Sequence, residues 1–291
     1  MRKILALLIS VVTVGMLFTS CSGNSKFDTT KEISVISRED GSGTRGAFIE
    51  LMGIEEKDAA GNKKDKTTKE ALIANKTDVM MTTVAGDPLA IGYVSLGSLK
   101  DNETVKAMKI DGTQATVESI KNGSYKISRP FNIATKGEVQ GIAKDFIDYI
   151  LSSDGQTVVA YSYIAINDDN SEGYKGTKPA GKIVVAGSSS VTPLMEKLKE
   201  AYLKINTNAE IEIQMSDSSS GMNAVNDGTC DIGMASRELK DSEKETLTSI
   251  KIALDGIVMI VNNKNTVETL TSEQVKNIYT GSATKWSEVI G

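Results

Sequence analysis

Apolar and polar positions along the chain follow two periods, and the switches between them mark its elements. Glu32-Ile-Ser-Val-Ile-Ser37 has strand character and leads through Arg38 into a Gly/Ser/Thr turn, Gly41 to Thr44, and a helix beginning near Arg45. Glu55 to Lys66 is too polar for a core and reads as a charged loop. Thr77 to Gly86 predicts a short helix capped by Thr77 and stopped by Gly86 and Pro88. Ile91 to Val94 predicts a buried strand, Val117 to Lys121 a helical turn, and Arg129 to Ile133 an extended segment. Val139, Ile142, Phe146, Ile147, Ile150 and Leu151 share one helical face, and a second short helix follows from Ser153 to Tyr161.

Asn167 to Lys182, with Asp-Asp-Asn-Ser-Glu-Gly inside it, predicts a linker. Beyond it the pattern is β-α-β-α. Ile183 to Ala186 is a strand, and Leu194, Leu198 and Tyr202 stripe a helix. Ile211, Ile213 and Met215 alternate as a strand, and Met222 and Val225 mark a helix stopped at Gly228. Asp231 to Met234 is a short strand, and Ile250 to Val261 a long one bent at Gly256. Thr271 to Gln274 forms a capping box for a helix running to Tyr279. Such alternation means an α/β fold with a largely parallel sheet. Ligands in these sheets bind beyond the carboxyl ends of the strands.

Three hydroxyl-rich turns fall at those ends: Arg38 with Ser42, Gly43 and Thr44; Gly187 to Ser190; and Ser216 to Gly221. Singly, Ser and Gly are ordinary turn and cap residues. Together, three strand-to-helix turns without bulk aim backbone N–H groups, hydroxyls and one guanidinium at a small anion. Micromolar binding requires about 8 kcal/mol, and charge-assisted hydrogen bonds contribute roughly 1.5–3 kcal/mol each. Gly41-Ser-Gly-Thr-Arg-Gly46 also fits G-x-G-x-x-G. However, Ser37 to Asp40 intervene, with charge, where a dinucleotide turn is tight, and a lysine-rich loop follows where a ribose-binding acid belongs.

Composition narrows the chemistry. The 291 residues include no histidine, which excludes a Ser-His-Asp or Cys-His triad and any His-ligated metal. No cofactor or metal is expected. Arg2 and Lys3 precede an apolar run from Ile4 to Phe18 and then Thr19-Ser20-Cys21, the pattern of a secretory signal over residues 1–20. Cys21 resembles the lipidated cysteine of a bacterial lipoprotein, with residues 21–31 as a polar tether. A palmitate-bearing, membrane-anchored, extracytoplasmic protein is the expectation. Only Cys230 then remains, as a small buried hydrophobe. Without the leader, 31 basic residues stand against 38 acidic ones, which argues against nucleic acid as a partner.

The motifs also carry a family resemblance. Ser37-Arg-Glu-Asp-Gly-Ser-Gly-Thr-Arg45, Ala90 to Gly97, Gly187-Ser-Ser-Ser-Val-Thr-Pro-Leu194, Asp231 to Leu239, Ala253 to Ile257 and Leu270 to Trp286 resemble the phosphate-specific substrate-binding proteins of ABC transporters. The resemblance implies a non-enzymatic, two-lobed α/β protein of the Venus-flytrap, type II periplasmic-binding-protein class. It would close on inorganic phosphate and deliver it to permease and ATPase subunits on other chains; a monomer is expected. The family's order is not kept: the Trp286 segment ends this chain, whereas its continuation stands at Glu32. The halves read as circularly permuted, with Asn167 to Lys182 bridging the old ends and the new termini meeting in one lobe. That lobe would comprise residues 32–93 plus 257–291, and the other 94–256.

Carried over by position, the phosphate ligands are Arg38, Ser42, Gly43, Thr44, Ser189, Ser190 and Ser219, and Asp40 orients Arg38. Arg237 stands where some members place an aspartate that accepts the proton of hydrogen phosphate. Ser236-Arg237-Glu238 resembles the variant of other members, which implies Arg237 as a further anion ligand that adds charge, with Asp217 as the replacement acceptor. Three other readings remain open: a receptor for sulfate, molybdate, tungstate or arsenate; a nucleotide-binding enzyme using the Gly41 turn; and a ligand-free signalling or adhesive lipoprotein.

Overall fold

The structure, a computed structural model, describes residues 27–58, 63–166 and 172–290. The expected signal segment, Cys21 and the heart of the expected linker lie outside the described residues. The chain enters as β1 (Ser34–Arg38) and turns into α1 (Gly43–Leu51). The expected charged loop is instead a surface hairpin, β2 (Glu55–Lys57) against β3 (Lys63–Asp65), because Lys63 pairs with Glu55 across the strands. β4 (Leu72–Ala74), α2 (Thr77–Gly86), β5 (Ala90–Ser95), β6 (Val105–Ala107), β7 (Lys109–Ile110) and α3 (Val117–Lys121) complete the first half of the path.

β8 (Ser128–Thr135) then crosses into a second region. There lie α4 (Gly141–Leu151), α5 (Ser153–Ala160), β9 (Gly181–Ser188), α6 (Thr192–Ile205), β10 (Ala209–Ser216), α7 (Ser218–Asn226), β11 (Ile232–Ala235) and α8 (Asp241–Lys244). β12 (Thr248–Asn262) crosses back, and the chain closes with β13 (Thr269–Leu270) and α9 (Ser272–Thr280).

One sheet runs through both regions in the order β10-β9-β11-β8-β12-β5-β1-β4. Its flanks are parallel, but β8 and β12 run antiparallel to their neighbours, so the sheet is mixed rather than largely parallel. The reason is the path: these two strands carry the chain in opposite directions between the regions. β12 pairs with β8 through Gly256 and with β5 from Ile257 onward. Its register irregularity lies between Lys251 and Ala253, upstream of the expected bend at Gly256.

Four apolar clusters flank the sheet, and the two largest, at its opposite ends, define two lobes. The first gathers Val35, Phe48, Tyr93, Ile120, Ile127, Tyr279 and Trp286, with Phe48 stacked on Tyr93 at 4.0 Å between centroids. The second gathers Phe131, Phe146, Val185, Leu194, Leu198 and Tyr202. The expected boundary at Tyr93 is displaced. Met108, Ile110, Ile120, Tyr125 and Ile127 pack in the first core, because β5 and β6 both pair with the distal half of β12. The crossings fall at Ile127–Ser128 and Gly256–Ile257.

The two ends of the described chain meet in the first lobe. Glu32 bridges Lys285, the Ile33 amide donates to the Thr284 carbonyl at 2.8 Å, and the Ser287 amide donates to the Thr29 carbonyl at 2.8 Å. Phe27 packs edge-on to Trp286 at 5.6 Å. The last residues of the expected tether are therefore held to the body. The described part of the expected linker is held too. Tyr174 sits against the Tyr149 and Tyr202 rings and donates its hydroxyl to Asp145, which also accepts the Thr177 amide at 2.9 Å. Among the described residues no helix is long and apolar enough to cross a membrane.

Candidate functional site

The carboxyl ends of β1, β9, β10 and β11 converge where the lobes face each other. β1 ends at Arg38, which is only 2% exposed. Ser42 caps α1 by accepting the Arg45 amide at 3.3 Å, which holds the turn tight and leaves its O–H free to donate. Gly43 opens α1, and a side chain there could not be accommodated: a Cβ would lie 2.5 Å from Ser218 Oγ and 2.9 Å from Ser236 Oγ on the opposite lobe. On that lobe Gly187, at φ +134°, lets the end of β9 touch α7. A Cβ on Gly221 would lie 2.6 Å from the Gly187 Cα.

Between these turns lies a buried network of hydroxyls. Thr44 Oγ1 is 2.8 Å from Ser190 Oγ, and Arg38 Nη2 donates to Ser189 Oγ at 3.0 Å. Ser236 Oγ lies 3.0 Å from Ser188 Oγ and 3.4 Å from both Thr44 and Ser218. At the rim, the Ser219 amide donates to the Gly41 carbonyl at 3.2 Å. Each of these contacts except those of Ser236 with Ser188 and Ser218 joins the two lobes. The predicted ligands Arg38, Gly43, Thr44, Ser189 and Ser190 are thus brought together, although they come from turns about 145 residues apart.

A guanidinium this buried needs compensation. Glu39 supplies it in a two-pronged pair, with Nε and Nη2 each 2.8 Å from a carboxylate oxygen, and the Ala74 carbonyl accepts a further Nε bond at 3.1 Å. Asp40, expected in this role, does not reach Arg38. The chain turns after β1, so its carboxylate, 95% exposed, pairs with Arg45 at 2.7 Å. Arg45 in turn holds the Arg38 carbonyl at 2.8 Å and Asp65 of β3 at 2.9 Å, which braces the turn from behind.

Arg237 and Asp217 flank the network without entering it. Arg237 is gripped by both oxygens of Glu243 at 2.8 Å and touches Ser219 Oγ at 3.2 Å. Burial raises the Glu243 carboxyl, but the bonds from Arg237 and the Lys240 amide outweigh it and hold the group below its ordinary value. Asp217 caps α7, accepting the Ser220 amide at 2.9 Å. It closes against Gly41, where a Cβ would meet its carboxylate at 2.2 Å.

Four further hydroxyls take part, each at most 5% exposed: Ser188 and Ser218, and two outside the hydroxyl-rich turns of the sequence reading, Thr77 and Ser236. Ser188 and Ser218 lie in turns already singled out. Ser236 follows β11, in a turn too short to stand out. Thr77 does not cap α2 as expected: Lys76 holds the cap position, and the Thr77 hydroxyl points into the network, 3.3 Å from Ser189 and Ser190. The chemistry on offer is many neutral donors around one paired arginine, suited to a compact oxyanion. Among the described residues no cluster of three or more acids or cysteines could hold a metal.

Residues 24–154 and 172–291 match the family described as PBP superfamily domain. The chain is 53% identical over 292 residues to "Phosphate-binding protein PstS 2" of Streptococcus agalactiae, covering 99% of this chain and 98% of that protein. It is 44% identical over 270 residues to the Streptococcus pneumoniae protein of the same description, covering 92% and 91%. A crystal structure of a phosphate ABC transporter, phosphate-binding protein from Streptococcus pneumoniae TIGR4 superposes with a TM-score of 0.69 at 43% identity, covering 89% of this chain and 99% of that one. These relatives are binding proteins of transport rather than enzymes.

Proposed function

Because the chain belongs to the phosphate-binding proteins of the PBP superfamily, we propose that it captures inorganic phosphate between its lobes at the Arg38 network and delivers it to an ABC-type importer on other chains. The observation that carries this reading is the meeting of Arg38 and Thr44 with Ser189 and Ser190 across the lobes. An anion placed among them bonds to both lobes at once, so binding and closure become one event. The Arg38–Glu39 pair carries no net charge, and the ligand's charge is balanced by hydroxyl and amide dipoles.

Attachment to a membrane through lipid on Cys21 and an extracytoplasmic location belong to the same proposal, resting on the sequence pattern before Cys21. Circular permutation also belongs to it. Its support is the strand-like bridge between Glu32 and Lys285, which puts the start of the described fold beside its end in one lobe. One second reading has an observation behind it. Among the described residues Glu39 is the only carboxylate bonded to this network, and it is committed to Arg38. A proton acceptor for hydrogen phosphate is then not set apart, which favours a general tetrahedral-oxyanion receptor. Calorimetric titration with phosphate, alone and in excess sulfate, decides between them. One-to-one binding that survives sulfate supports the phosphate receptor, displacement by sulfate supports the broader reading, and no saturable binding sinks both.

A further inference from the structure

β4 is the parallel neighbour of β1, and the two end level with each other: Arg38 stands opposite Ala74 in the register. The turn that follows β4, Asn75 to Thr77, therefore leaves the sheet beside the turn that follows Arg38. It is a strand-to-helix turn like the other three, but Asn-Lys-Thr lacks the Gly and Ser that made those visible. Two contacts tie it to the site. The Ala74 carbonyl accepts Arg38 Nε at 3.1 Å, and Thr77 Oγ1 lies 3.4 Å from Arg38 Nη1. The same hydroxyl is 3.3 Å from Ser189 Oγ and 3.3 Å from Ser190 Oγ on the other lobe.

We infer that the β4–α2 turn is a fourth wall of the anion site and that Thr77 is a phosphate-contacting residue, its hydroxyl donating to the ligand between Arg38 and the Ser189–Ser190 turn. The inference rests on the phosphate reading given above. Several features of Thr77 exceed what a structural threonine needs. It is 5% exposed at the first position of its helix, where a capping role falls to the preceding residue. Its contacts are three polar groups that belong to the proposed ligand set, at 3.3–3.4 Å, which is long for hydroxyl pairs. A hydroxyl so placed has its strongest bonds still to make. The wall also explains how Arg38 is aimed: Glu39 and Ala74 take the Nε edge, leaving Nη1 directed toward Thr77.

The test is titration of inorganic phosphate into the purified protein and into Thr77→Val and Thr77→Ser, with the thermal midpoint of each measured without phosphate. Thr77→Val keeps the shape and removes the hydroxyl. It is expected to weaken phosphate about tenfold, the effect of one hydrogen bond, with a midpoint close to that of the unaltered protein. Thr77→Ser restores the hydroxyl and is expected to return affinity to within about threefold. Thr77→Val binding phosphate as tightly as the unaltered protein would overturn the inference and leave the phosphate reading standing. Equal weakening in both variants would also overturn it, since the methyl group rather than the hydroxyl would then matter. Failure of the unaltered, folded protein to bind phosphate would overturn the reading itself, and this inference with it.

Discussion

Two arginines in this molecule are almost equally buried, and their surroundings differ in kind. Arg38 and Arg129 are 2% and 3% exposed, and each is paired with a carboxylate. Arg38 takes its partner from the next residue in the chain, leaving the rest of the guanidinium to face hydroxyls from two lobes. Arg129 takes its partner from across the sheet, where β8 and β12 cross between lobes. Nη2 meets Asp255 Oδ2 at 3.0 Å, while Nε and Nη1 find no hydrogen-bond partner among the described residues. Asp255 is fully enclosed and also accepts from Ser95 at 2.8 Å. Burial alone therefore does not mark a ligand arginine. A local partner leaves the group facing the cleft, whereas a long-range partner ties two strands together.

The largest expected effect separates the two. Asp255→Ala leaves Arg129 buried and unpaired, and is expected to cost about 3–5 kcal/mol in urea unfolding. Arg38→Met should cost far less stability, because Glu39 sits near the cleft surface and can turn to water. It should weaken phosphate by roughly a hundredfold or more, as two charged hydrogen bonds are lost. If Arg38→Met unfolds the protein while Asp255→Ala is mild, the comparison is reversed.

Closure offers the next test. Gly43→Ala places a methyl group against Ser218 and Ser236 of the opposite lobe. The clash exists only when the lobes are together, so phosphate should bind about tenfold or more weakly with little change in unfolding midpoint. A destabilised variant of unchanged affinity would show that Gly43 serves its own lobe.

A smaller effect belongs to the buried pair. Burial pushes the Asp255 carboxyl up to about 6 against the pull of Arg129, and lowers the Arg129 guanidinium to about 10. Between the ordinary carboxyl value of 3.8 and this raised one, the folded chain holds a proton that the unfolded chain has released. This group's contribution to stability is thus present below the lower value and is lost as pH rises through the upper one. Asp255→Asn should remove that downward component, seen as a flatter change in urea midpoint between about pH 4 and about pH 6. An unchanged slope would place the carboxyl in its ordinary range.

The smallest effect concerns Arg237. Its guanidinium is already satisfied by Glu243 in a largely buried pair, 11% and 13% exposed. Arg237→Gln is expected to change phosphate affinity by less than about threefold. A hundredfold loss would move Arg237 into the anion site, as the family resemblance had suggested.

Much of this protein is determined by local sequence. The capping box at Thr271 and the apolar face of α4 depend on residues within a turn or two of each other, and both are found where the pattern places them. The three hydroxyl-rich turns were legible for the same reason: strand-to-helix turns need small polar residues, and their chemistry is written in consecutive positions. What required the tertiary structure is everything that depends on which strands are neighbours. The antiparallel crossing of β8 and β12 decides the lobe boundary, which no composition shift near Tyr93 or Ile127 announces. The parallel pairing of β4 with β1 brings Thr77, an ordinary residue in its own segment, beside Arg38. The choice of Glu39 over Asp40 depends on which way the chain turns at the end of β1: the Ser42 amide closes a turn on the Glu39 carbonyl at 3.0 Å, and Asp40 within it faces Arg45. Local order follows from nearby residues, whereas the company a side chain keeps is set by contacts between residues far apart in the chain.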